Sequence, residues 1–407
     1  MTDNAVPLRL HIPQPVARPG DASRFDYLSF VPGAAVQRPE FDTPEPELRE
    51  FPYGLIRVIG EDNAAWDPGL DPEMMRSGLR AMLQTRLFED RMFRAHRQGK
   101  TSFFMKSTGE EAIGVAQSLA LAPGDMCFPT YRVQGWLIAR DYPLEDMINQ
   151  IYSNEKDPLK GRQLPILYSA RDYGFYSLSG NVGSRFGHAV GWAMASAYKG
   201  ACHIALGYIG EGTTAEGDFH EALTFASVYR APAILVITNN QWAISSFAGI
   251  AGAEQTTFAA KALAYGLPGL RVDGNDFLAV WAATKWAADR ARANLGATVI
   301  EFVTYRVAGH STSDDPTKYR PADEPSHWPL GDPIERLKVH LIDVGEWSEE
   351  RHAQLESELT ETLRAAQRAA EAIGTLGKSK PSVAEMFEGV FKELDWRAIE
   401  QRREIGI

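Results

Sequence analysis

Between residues 125 and 306, short apolar runs alternate with longer segments whose apolar residues recur at helical spacing. Apolar strands separated by helical crossovers are typical of a parallel sheet that helices cover on both faces. We therefore predict a doubly wound α/β fold with a mainly parallel sheet. The predicted strands are "DMCFPTY" (125–131), "CHIALGYIG" (202–210), "AILVITNN" (233–240), "GLRVDG" (269–274) and "ATVIEFVTYR" (297–306).

The segments that flank this alternating region differ from it in composition. Residues 1–72 hold 11 of the 24 prolines, and proline fixes φ and removes a backbone donor, so we predict an extended N-terminal arm. Its aromatic residues, among them Phe25 and Phe41, indicate that the arm lies against a surface, either another subunit or its own domain. We expect residues 73–345 to form the α/β domain and residues 346–407 a C-terminal helical region.

The overall composition limits the classes of function. The chain is 44% hydrophobic and 23% charged, which is ordinary for a globular enzyme. Its formal net charge of −11 argues against a general affinity for nucleic acid or anionic membranes, and no apolar run of the sequence is long enough to span a bilayer. We therefore expect no nucleic-acid partner and no membrane partner.

Two features of the sequence favour a cytoplasmic location. The N-terminus, "MTDNAVPLRLHIPQPVARPGD", lacks the apolar core of a secretory signal, and its acids and prolines fit a transit peptide poorly. The two cysteines, Cys127 and Cys202, are too few for a disulfide framework, which favours a reducing compartment. Both lie in apolar stretches, so we expect both to be buried.

Polar segments directly follow three of the predicted strands. These segments are Gly210-Glu211-Gly212, Asn239-Asn240 and the loop "YRVAGHSTSDD" (305–315). Ligands bind at the carboxyl ends of the strands in a sheet of this kind. We therefore expect the three segments to gather at one edge of the sheet and to form the functional site there.

Glu211 stands between two glycines where a strand gives way to a predicted helix. A helix N-terminus attracts anions, so a carboxylate there would repel a phosphate unless a cation lies between them. Asn240 follows the next strand, 29 residues later. Its amide oxygen, the Glu211 carboxylate, a backbone carbonyl and phosphate oxygens would complete an octahedral Mg²⁺ site. The alternative is a tight turn with a solvated glutamate that caps the helix.

The motif G-[DE]-G with a later N-N pair is the signature of thiamine diphosphate-dependent enzymes, and this sequence carries both parts. With "EALTFASVYRAPAILVITNN" included, the chain resembles the α subunits of 2-oxo acid dehydrogenase decarboxylating components. The resemblance extends in order over roughly residues 75–345. The form "HSTSDDPTKYR" is more similar to branched-chain members than to pyruvate members. Further matching segments are "RQGKTSFFMKSTGEEA", "PTYRVQGWLIARDYPLEDMINQIYSN" and "GFYSLSGNVGSRFGHAVG".

The resemblance implies which residues form the active site. Glu211, Asn240 and the main-chain carbonyl of Trp242 match the family's Mg²⁺ ligands. His310 matches a catalytic histidine that lines the site, positions the cofactor and assists substrate binding and reductive acylation. The residues that match contacts of thiamine diphosphate are Tyr131, Arg132, Gly210, Glu211, Gly212, Thr213, Asn240, Trp242 and His310, with Gly180 and Val182 at its aminopyrimidine.

Several positions depart from the family pattern. Glu211 replaces the commoner aspartate, and Thr238 stands where some relatives carry an arginine that reaches the diphosphate. The segment "SGNVGSR" differs from the one that builds a potassium site in mitochondrial relatives, and the charge of Arg185 would replace the ion, so we expect no K⁺. Ser311 and Ser313 occupy positions that are phosphorylated in mitochondrial relatives, and we interpret them here as two loop hydroxyls.

The resemblance also implies partners. A complete site in this superfamily needs two α/β domains, and the chain shows only the one that holds the diphosphate. The glutamate that activates the aminopyrimidine would come from a β subunit, in an α2β2 heterotetramer whose active site lies at a subunit interface. The acyl product would pass to the lipoyl acyltransferase core of a multienzyme complex.

The implied reaction is the thiamine diphosphate-dependent oxidative decarboxylation of small 2-oxo acids such as 3-methyl-2-oxobutanoate, with reductive acylation of a lipoyl group. The enzyme would be an oxidoreductase of branched-chain amino acid catabolism that acts on an oxo group with a disulfide acceptor. Two alternatives stay open. One is the α subunit of a pyruvate or acetoin dehydrogenase, and the other is a non-catalytic binding or regulatory subunit with the same fold.

Overall fold

The computed structural model describes residues 10–28, 36–60, 63–64, 66–379, 381–389 and 391–407. The parts of the predicted arm at residues 1–9, 29–35, 61–62 and 65 therefore lie outside the described residues. The strands are β1 (Ile59–Gly60), β2 (Asn63–Ala64), β3 (Met126–Phe128), β4 (Ala205–Gly210), β5 (Ala233–Asn239), β6 (Trp242–Ala243), β7 (Ser246–Phe247), β8 (Gly269–Asp273) and β9 (Thr298–Val303). The helices are α1 (Glu45–Leu48), α2 (Pro72–Arg97), α3 (Glu111–Ala120), α4 (Gln134–Ala139), α5 (Leu144–Tyr152), α6 (Ser184–Tyr198), α7 (Gly217–Val228), α8 (Phe277–Arg292), α9 (Pro333–Asp343), α10 (Glu349–Ile373) and α11 (Trp396–Glu404).

The predicted parallel sheet is confirmed. Within the described residues, five strands pair in the order β3-β4-β5-β9-β8, and each neighbouring pair is parallel. Each of these strands falls inside one of the apolar runs that predicted it. The pairs β1 with β2 and β6 with β7 are antiparallel and lie outside this sheet.

Helices bury the central strands from both sides, which explains why those strands are apolar throughout. Alternate residues of β5 belong to two different cores. Ile234 and Val236 lie in one core with residues of α3 and α8. Leu235 and Ile237 lie in the other with residues of α6 and α7. Every residue of β5 and of β9 is buried as a result. None of the helices that the structure describes has the length and apolarity needed to cross a membrane.

The segment "DPEMMRSGLRAMLQTRLFEDRMFRAHRQG" (71–99) has apolar residues at helical spacing, and it predicts a helix capped by Asp71 that ends at Gly99. The first long helix has these bounds. The Asp71 carboxylate accepts a hydrogen bond of 2.8 Å from the Met74 backbone N–H and so caps α2. The chain leaves the helix at Gly99, whose φ of 71° is a left-handed conformation that glycine adopts without steric cost. The division of the chain at residues 72 and 345 stays a prediction.

The two cysteines differ in exposure. Cys127 lies within β3 and is buried, as expected. Cys202 is exposed, so the expectation for this residue was wrong. The reason is the length of the strand. The apolar run from residue 202 pairs as β4 only from Ala205 onward, which leaves Cys202 in the connection that follows α6.

The described part of the N-terminal arm lies on the chain's own domain. The Ile56 backbone N–H donates to the Arg271 carbonyl at 2.8 Å, and the Asp273 N–H donates to the Ile56 carbonyl at 3.0 Å. Ile56 therefore continues the parallel pairing beyond β8 and covers an edge that would otherwise carry unpaired groups. Farther along, Phe25 packs edge-on against Trp328, with ring centroids 5.2 Å apart. These contacts favour the chain's own domain, and not another subunit, as the surface against which the arm lies.

A buried carboxylate joins the arm to the domain. Asp276 caps α8 by accepting from the Ala279 N–H at 3.0 Å. Its other oxygen accepts from the Val58 N–H at 2.8 Å and the Ile59 N–H at 2.6 Å, and lies 3.5 Å from the Arg336 guanidinium of α9. One side chain therefore satisfies donors from three separate elements.

We expect Asp276→Ala to lower the free energy of unfolding by about 3–5 kcal/mol, because it leaves buried donors and a buried guanidinium without this partner. Urea unfolding followed by tryptophan fluorescence measures the loss. Asp395→Ala, which removes the exposed cap of α11, is the control and is expected to cost about 1 kcal/mol. Equal losses of unfolding free energy in the two variants would show that burial does not increase the contribution of Asp276 to stability.

Candidate active site

The carboxyl ends of adjacent strands bring the first two predicted site residues together. Gly210 at the end of β4 pairs in register with Thr238 near the end of β5. Glu211 and Asn240 follow these positions, and the Asn240 backbone N–H approaches Glu211 Oε2 at 3.4 Å. Both side chains are buried. The two residues therefore lie side by side at the edge of the sheet, as their spacing predicts.

The Glu211 carboxylate is incompletely satisfied. It is 1% exposed, and its Oε1 has no hydrogen-bond partner among the described residues. Burial raises the pKa of this carboxyl to about 7, and the nearby charge of Glu110 adds to the effect. A buried carboxylate oxygen without a partner is costly. A cation at this position would remove the cost.

The local backbone at Glu211 differs from the prediction. Glu211 does not lie in the first turn of α7 but opens a single 3₁₀ turn, Glu211–Ala215, and the α-helix begins at Gly217. The Thr214 hydroxyl donates to the Glu211 carbonyl at 2.8 Å and closes this turn. The carboxylate that was expected to repel a phosphate at a helix N-terminus therefore lies in a turn before the helix and not in its first turn. Nor is Glu211 a solvated helix cap, because it is buried.

The amide of Asn240 is held at both ends. Its Nδ2 donates to Glu110 Oε1 at 2.8 Å, and its Oδ1 accepts from the Trp242 N–H at 3.3 Å. This pairing assigns the oxygen to the side of Trp242. Glu110 is buried, and burial raises its pKa, although the Arg132 guanidinium only 3.7 Å away opposes the rise. Glu110 lies at the end of "RQGKTSFFMKSTGEEA", immediately before α3, and was not among the predicted site residues.

The Trp242 carbonyl accepts a hydrogen bond of 3.0 Å from Arg306 Nη1. Arg306 also donates through Nη2 to the Ile244 carbonyl at 2.9 Å and to the Tyr319 hydroxyl at 2.6 Å. It lies just beyond β9, in the quoted loop 305–315, but was not predicted as a site residue. Its place directly after a strand was the available signal. It adds a buried positive charge beside the predicted metal ligands.

His310 contacts the predicted tyrosine–arginine pair. The Arg132 Nη2 donates to the His310 carbonyl at 2.8 Å and lies 3.3 Å from its Nδ1, and the Tyr131 ring meets the imidazole edge-on at 5.7 Å. The Asp314 carboxylate accepts from the His310 backbone N–H at 2.6 Å and orders the loop. Burial lowers the pKa of His310 to about 4, assisted by the charges of Arg132 and Arg306. The imidazole is therefore neutral at pH 7.

The turn that contains Gly210, Gly212 and Thr213, predicted to contact the diphosphate of the cofactor, is closely packed on one side and open on the other. A Cβ at Gly212 would lie 2.5 Å from the Ala243 side chain, so only glycine fits there. At Gly210, no atom of the described residues beyond its two chain neighbours lies within 4 Å of where a Cβ would be. Thr213 is buried in the turn. The backbone at Gly210 is thus accessible to a ligand, as a diphosphate cradle requires.

The predicted aminopyrimidine residues lie on a separate loop. Gly180 and Val182 are exposed, and no hydrogen bond within the described residues joins either of them to Glu211 or His310. Arg185 is buried behind the loop and donates from Nη2 to the Ser179 carbonyl at 2.6 Å. Burial lowers the pKa of this guanidinium, while the Tyr131 phenol opposes the change. This hydrogen bond ties Arg185 to the loop, and both the replacement of K⁺ by the charge of Arg185 and the absence of K⁺ stay predictions.

We expect the His310 imidazole to titrate near pH 4, well below its usual pKa of 6.5, and to stay neutral between pH 5 and 8. NMR of protein with labelled histidine measures the midpoint, and the signal that disappears in His310→Asn assigns it. Arg132→Met should raise the midpoint, because it removes a repelling positive charge. A wild-type midpoint near 6.5 would contradict the prediction.

Comparison with known proteins gives two family matches along the chain. Residues 79–378 match the family described as dehydrogenase E1 component. Residues 6–47 match the family described as 2-oxoisovalerate dehydrogenase E1 alpha subunit N terminal. The first match covers well over half of the chain and contains every residue of the site, and the second covers much of the proline-rich arm.

Individual relatives agree with these matches. The chain is 56% identical to the 2-oxoisovalerate dehydrogenase subunit alpha of Pseudomonas aeruginosa over 405 residues, which covers 98% of this chain and 99% of the relative. It is 37% identical to the mitochondrial subunit alpha 1 of Arabidopsis thaliana, over 86% of this chain and 73% of the relative. It is 36% identical to the mitochondrial subunit alpha of Mus musculus, over 82% of this chain and 74% of the relative.

Proposed function

This chain belongs to the dehydrogenase E1 component family, and from that membership we propose that it is the α subunit of a 2-oxoisovalerate dehydrogenase. It takes part in the oxidative decarboxylation of branched-chain 2-oxo acids such as 3-methyl-2-oxobutanoate, as an oxidoreductase of class EC 1.2.4. The observation in the structure that carries the proposal is a buried, incompletely satisfied Glu211 carboxylate that approaches the Asn240 backbone N–H at the carboxyl edge of the sheet.

The family uses thiamine diphosphate, and we infer that Mg²⁺ joins this cofactor to the chain. The described residues hold no cluster of three or more His, Cys, Asp or Glu side chains that would bind a metal by themselves. The Mg²⁺ would instead rest on Glu211, the Asn240 amide oxygen and the Trp242 carbonyl, which are hard oxygen donors. The unpartnered Glu211 Oε1 supports this assignment. Thiamine diphosphate supplies, when bound, the electron sink that decarboxylation of a 2-oxo acid needs.

The chain's own side chains would bind and orient the reacting groups. Arg132 lies 3.7 Å from Glu110, and Arg306 donates to the Trp242 carbonyl, so both place positive charge near the predicted metal ligands, where it would favour a diphosphate. Glu110 fixes the Asn240 amide in one orientation. The neutral His310 accepts a hydrogen bond or a proton at pH 7, which suits the proposed role in substrate binding and in acyl transfer to the lipoyl group.

We propose that a β subunit completes the site in an α2β2 heterotetramer, and that the lipoyl acyltransferase core of a multienzyme complex receives the acyl group. Large exposed apolar side chains at the C-terminal ends of α6 and α7 support the first part: Tyr198 is 93% exposed, Val228 is 70% exposed, and Tyr229, directly after α7, is 59% exposed. Such a patch is typical of a protein interface. We place the assembly in the cytoplasm, in keeping with the bacterial origin of a relative that matches nearly the whole chain.

Glu211→Gln tests the metal site, with the α2β2 protein as the sample. Removing the carboxylate charge should weaken Mg²⁺-dependent binding of thiamine diphosphate by at least about 100-fold, since the loss of a mere supporting residue costs about 10–100-fold. Calorimetry measures cofactor binding, and Mn²⁺ electron paramagnetic resonance measures the metal directly. Glu216→Gln, an exposed acid of the same segment, is the control and should change neither quantity.

The supporting role of Glu110 is separable in the same assay. Glu110→Ala removes the acceptor for Asn240 and should weaken metal binding by about 10–100-fold, whereas Glu110→Gln keeps an acceptor oxygen and should weaken it less. If both Glu211→Gln and Glu110→Ala bound the metal with wild-type affinity, the proposed Mg²⁺ site would be wrong. Failure of the wild-type assembly to bind thiamine diphosphate would favour the regulatory-subunit alternative.

Substrate preference is tested with the assembled enzyme. We expect turnover of 3-methyl-2-oxobutanoate to exceed turnover of pyruvate and of acetoin by at least about tenfold in kcat/KM, since even one methylene more or less in an apolar pocket is worth about 1–3 kcal/mol. Steady-state rates with each substrate, the lipoyl acceptor and saturating cofactor give the comparison. A preference for pyruvate or acetoin would overturn the branched-chain assignment and leave the family assignment intact.

A further inference from the structure

A polar cleft lies between α2 and α10, away from the candidate active site, and none of the active-site residues lines it. The two helices pack against each other, and the cleft at their seam has a volume of about 240 Å³. Five cationic side chains line it, but only one carboxylate does. The lining residues are Arg91, Arg94, Ala95, Gln98, Lys100, Arg364, Gln367, Arg368 and Glu371.

The carboxylate of the cleft already has partners. Glu371 Oε1 accepts from Lys100 Nζ at 2.7 Å, from Gln367 Nε2 at 2.9 Å and from the Tyr152 hydroxyl at 3.2 Å. Lys100 and Glu371 therefore neutralise each other at one end of the cleft. Among the described residues, none of the four arginines of the cleft forms an ion pair with Glu371, although its charge acts on Arg91 at longer range.

One of these arginines is held in place by neutral groups. Arg91 donates from Nε and Nη2 to Gln367 Oε1, at 3.0 and 2.7 Å. Gln367 is itself buried, and its Nε2 donates to the Tyr152 hydroxyl at 3.0 Å. The Arg91 guanidinium is thus oriented by a fixed side-chain amide. Because this amide is neutral, it does not neutralise the charge of the guanidinium. Such preorganisation lowers the entropic cost of binding a ligand.

Positive charges crowd together in the cleft. Burial lowers the pKa of Arg91, and the charges of Arg94 and Arg364 lower it further, against the opposing effects of Tyr152 and Glu371. Within the part of the chain that the structure describes, Arg94 and Arg368 form no ion pair, and Arg364 pairs only with Glu361 of its own helix. This crowding occurs in a chain whose net charge is −11. Like charges across a helix seam repel, and a bound anion would relieve that repulsion.

We propose that this cleft is a binding site for a small molecule that carries a phosphate group. Guanidinium forks match phosphate oxygens in pairs of parallel hydrogen bonds, and the four arginines supply more donors than a single carboxylate ligand needs. The volume lies just below the range of drug-sized pockets and suits a compact phosphorylated compound. The anion would bridge α2 and α10, so its binding would stabilise the packing of the C-terminal helix on the domain.

The test uses the α2β2 holoenzyme saturated with thiamine diphosphate and Mg²⁺, so that the active site cannot take up the probe. Inorganic phosphate is titrated at constant ionic strength and followed by ³¹P NMR and by the thermal unfolding midpoint. We expect saturable binding and a rise in the midpoint. Arg364→Ala/Arg368→Ala should weaken binding by at least about tenfold, because it removes two charge-assisted pairs from the cleft.

The matched control is Arg80→Ala/Arg351→Ala, which removes one exposed arginine from each of the same two helices outside the cleft. It should bind phosphate as the wild type does, and Arg364→Lys/Arg368→Lys should retain part of the affinity because the charge remains. All variants should keep wild-type decarboxylation without phosphate, which shows that they fold. Non-saturable binding, or equal loss in the control and the cleft variant, would overturn the proposal without affecting the proposed function.

Discussion

The burial of the parallel sheet on both faces is the constraint on which the rest of the structure depends. Strands enclosed in this way carry apolar side chains throughout, as β5 and β9 do. Polar groups are therefore confined to the strand ends, and parallel pairing places the carboxyl ends at one edge. Because β4, β5 and β9 are adjacent in the sheet, Glu211, Asn240 and Arg306 are brought to the same place.

Opposite charges are concentrated at this edge, and each is destabilised by its own burial. Burial raises the pKa of Glu211 and Glu110 and lowers the pKa of Arg306 and of His310. Glu211 and Glu110 are only partly paired with the neighbouring arginines, Arg132 and Arg306. A metal ion and a diphosphate bring the complementary charges that these groups lack, so the electrostatics of the protein alone is consistent with the proposed cofactor.

Features that depend on local chemistry were predictable from the sequence. The strands follow from apolar runs, and the start of α2 follows from an aspartate before a helical pattern. The proximity of Glu211 and Asn240 required one further rule, that parallel strands end together. Glu110 and Arg306 were missed because their roles depend on partners 130 and 64 residues away, Asn240 and Trp242. Cys202 and the turn at Glu211 were mispredicted because apolarity does not define where a strand or a helix begins.

The sequence by itself determined the fold class, the family and the order of the groups that would hold a cofactor. Periodicity and motif spacing are properties of the linear order of residues, so they can be read without the fold. The tertiary structure alone decided which oxygen of Glu211 lacks a partner, which acid orients Asn240 and how far the pKa of His310 falls. It also decided that arginines of α2 and α10 face one cleft. These properties depend on burial and on contacts between distant segments, and no pattern along the chain specifies them.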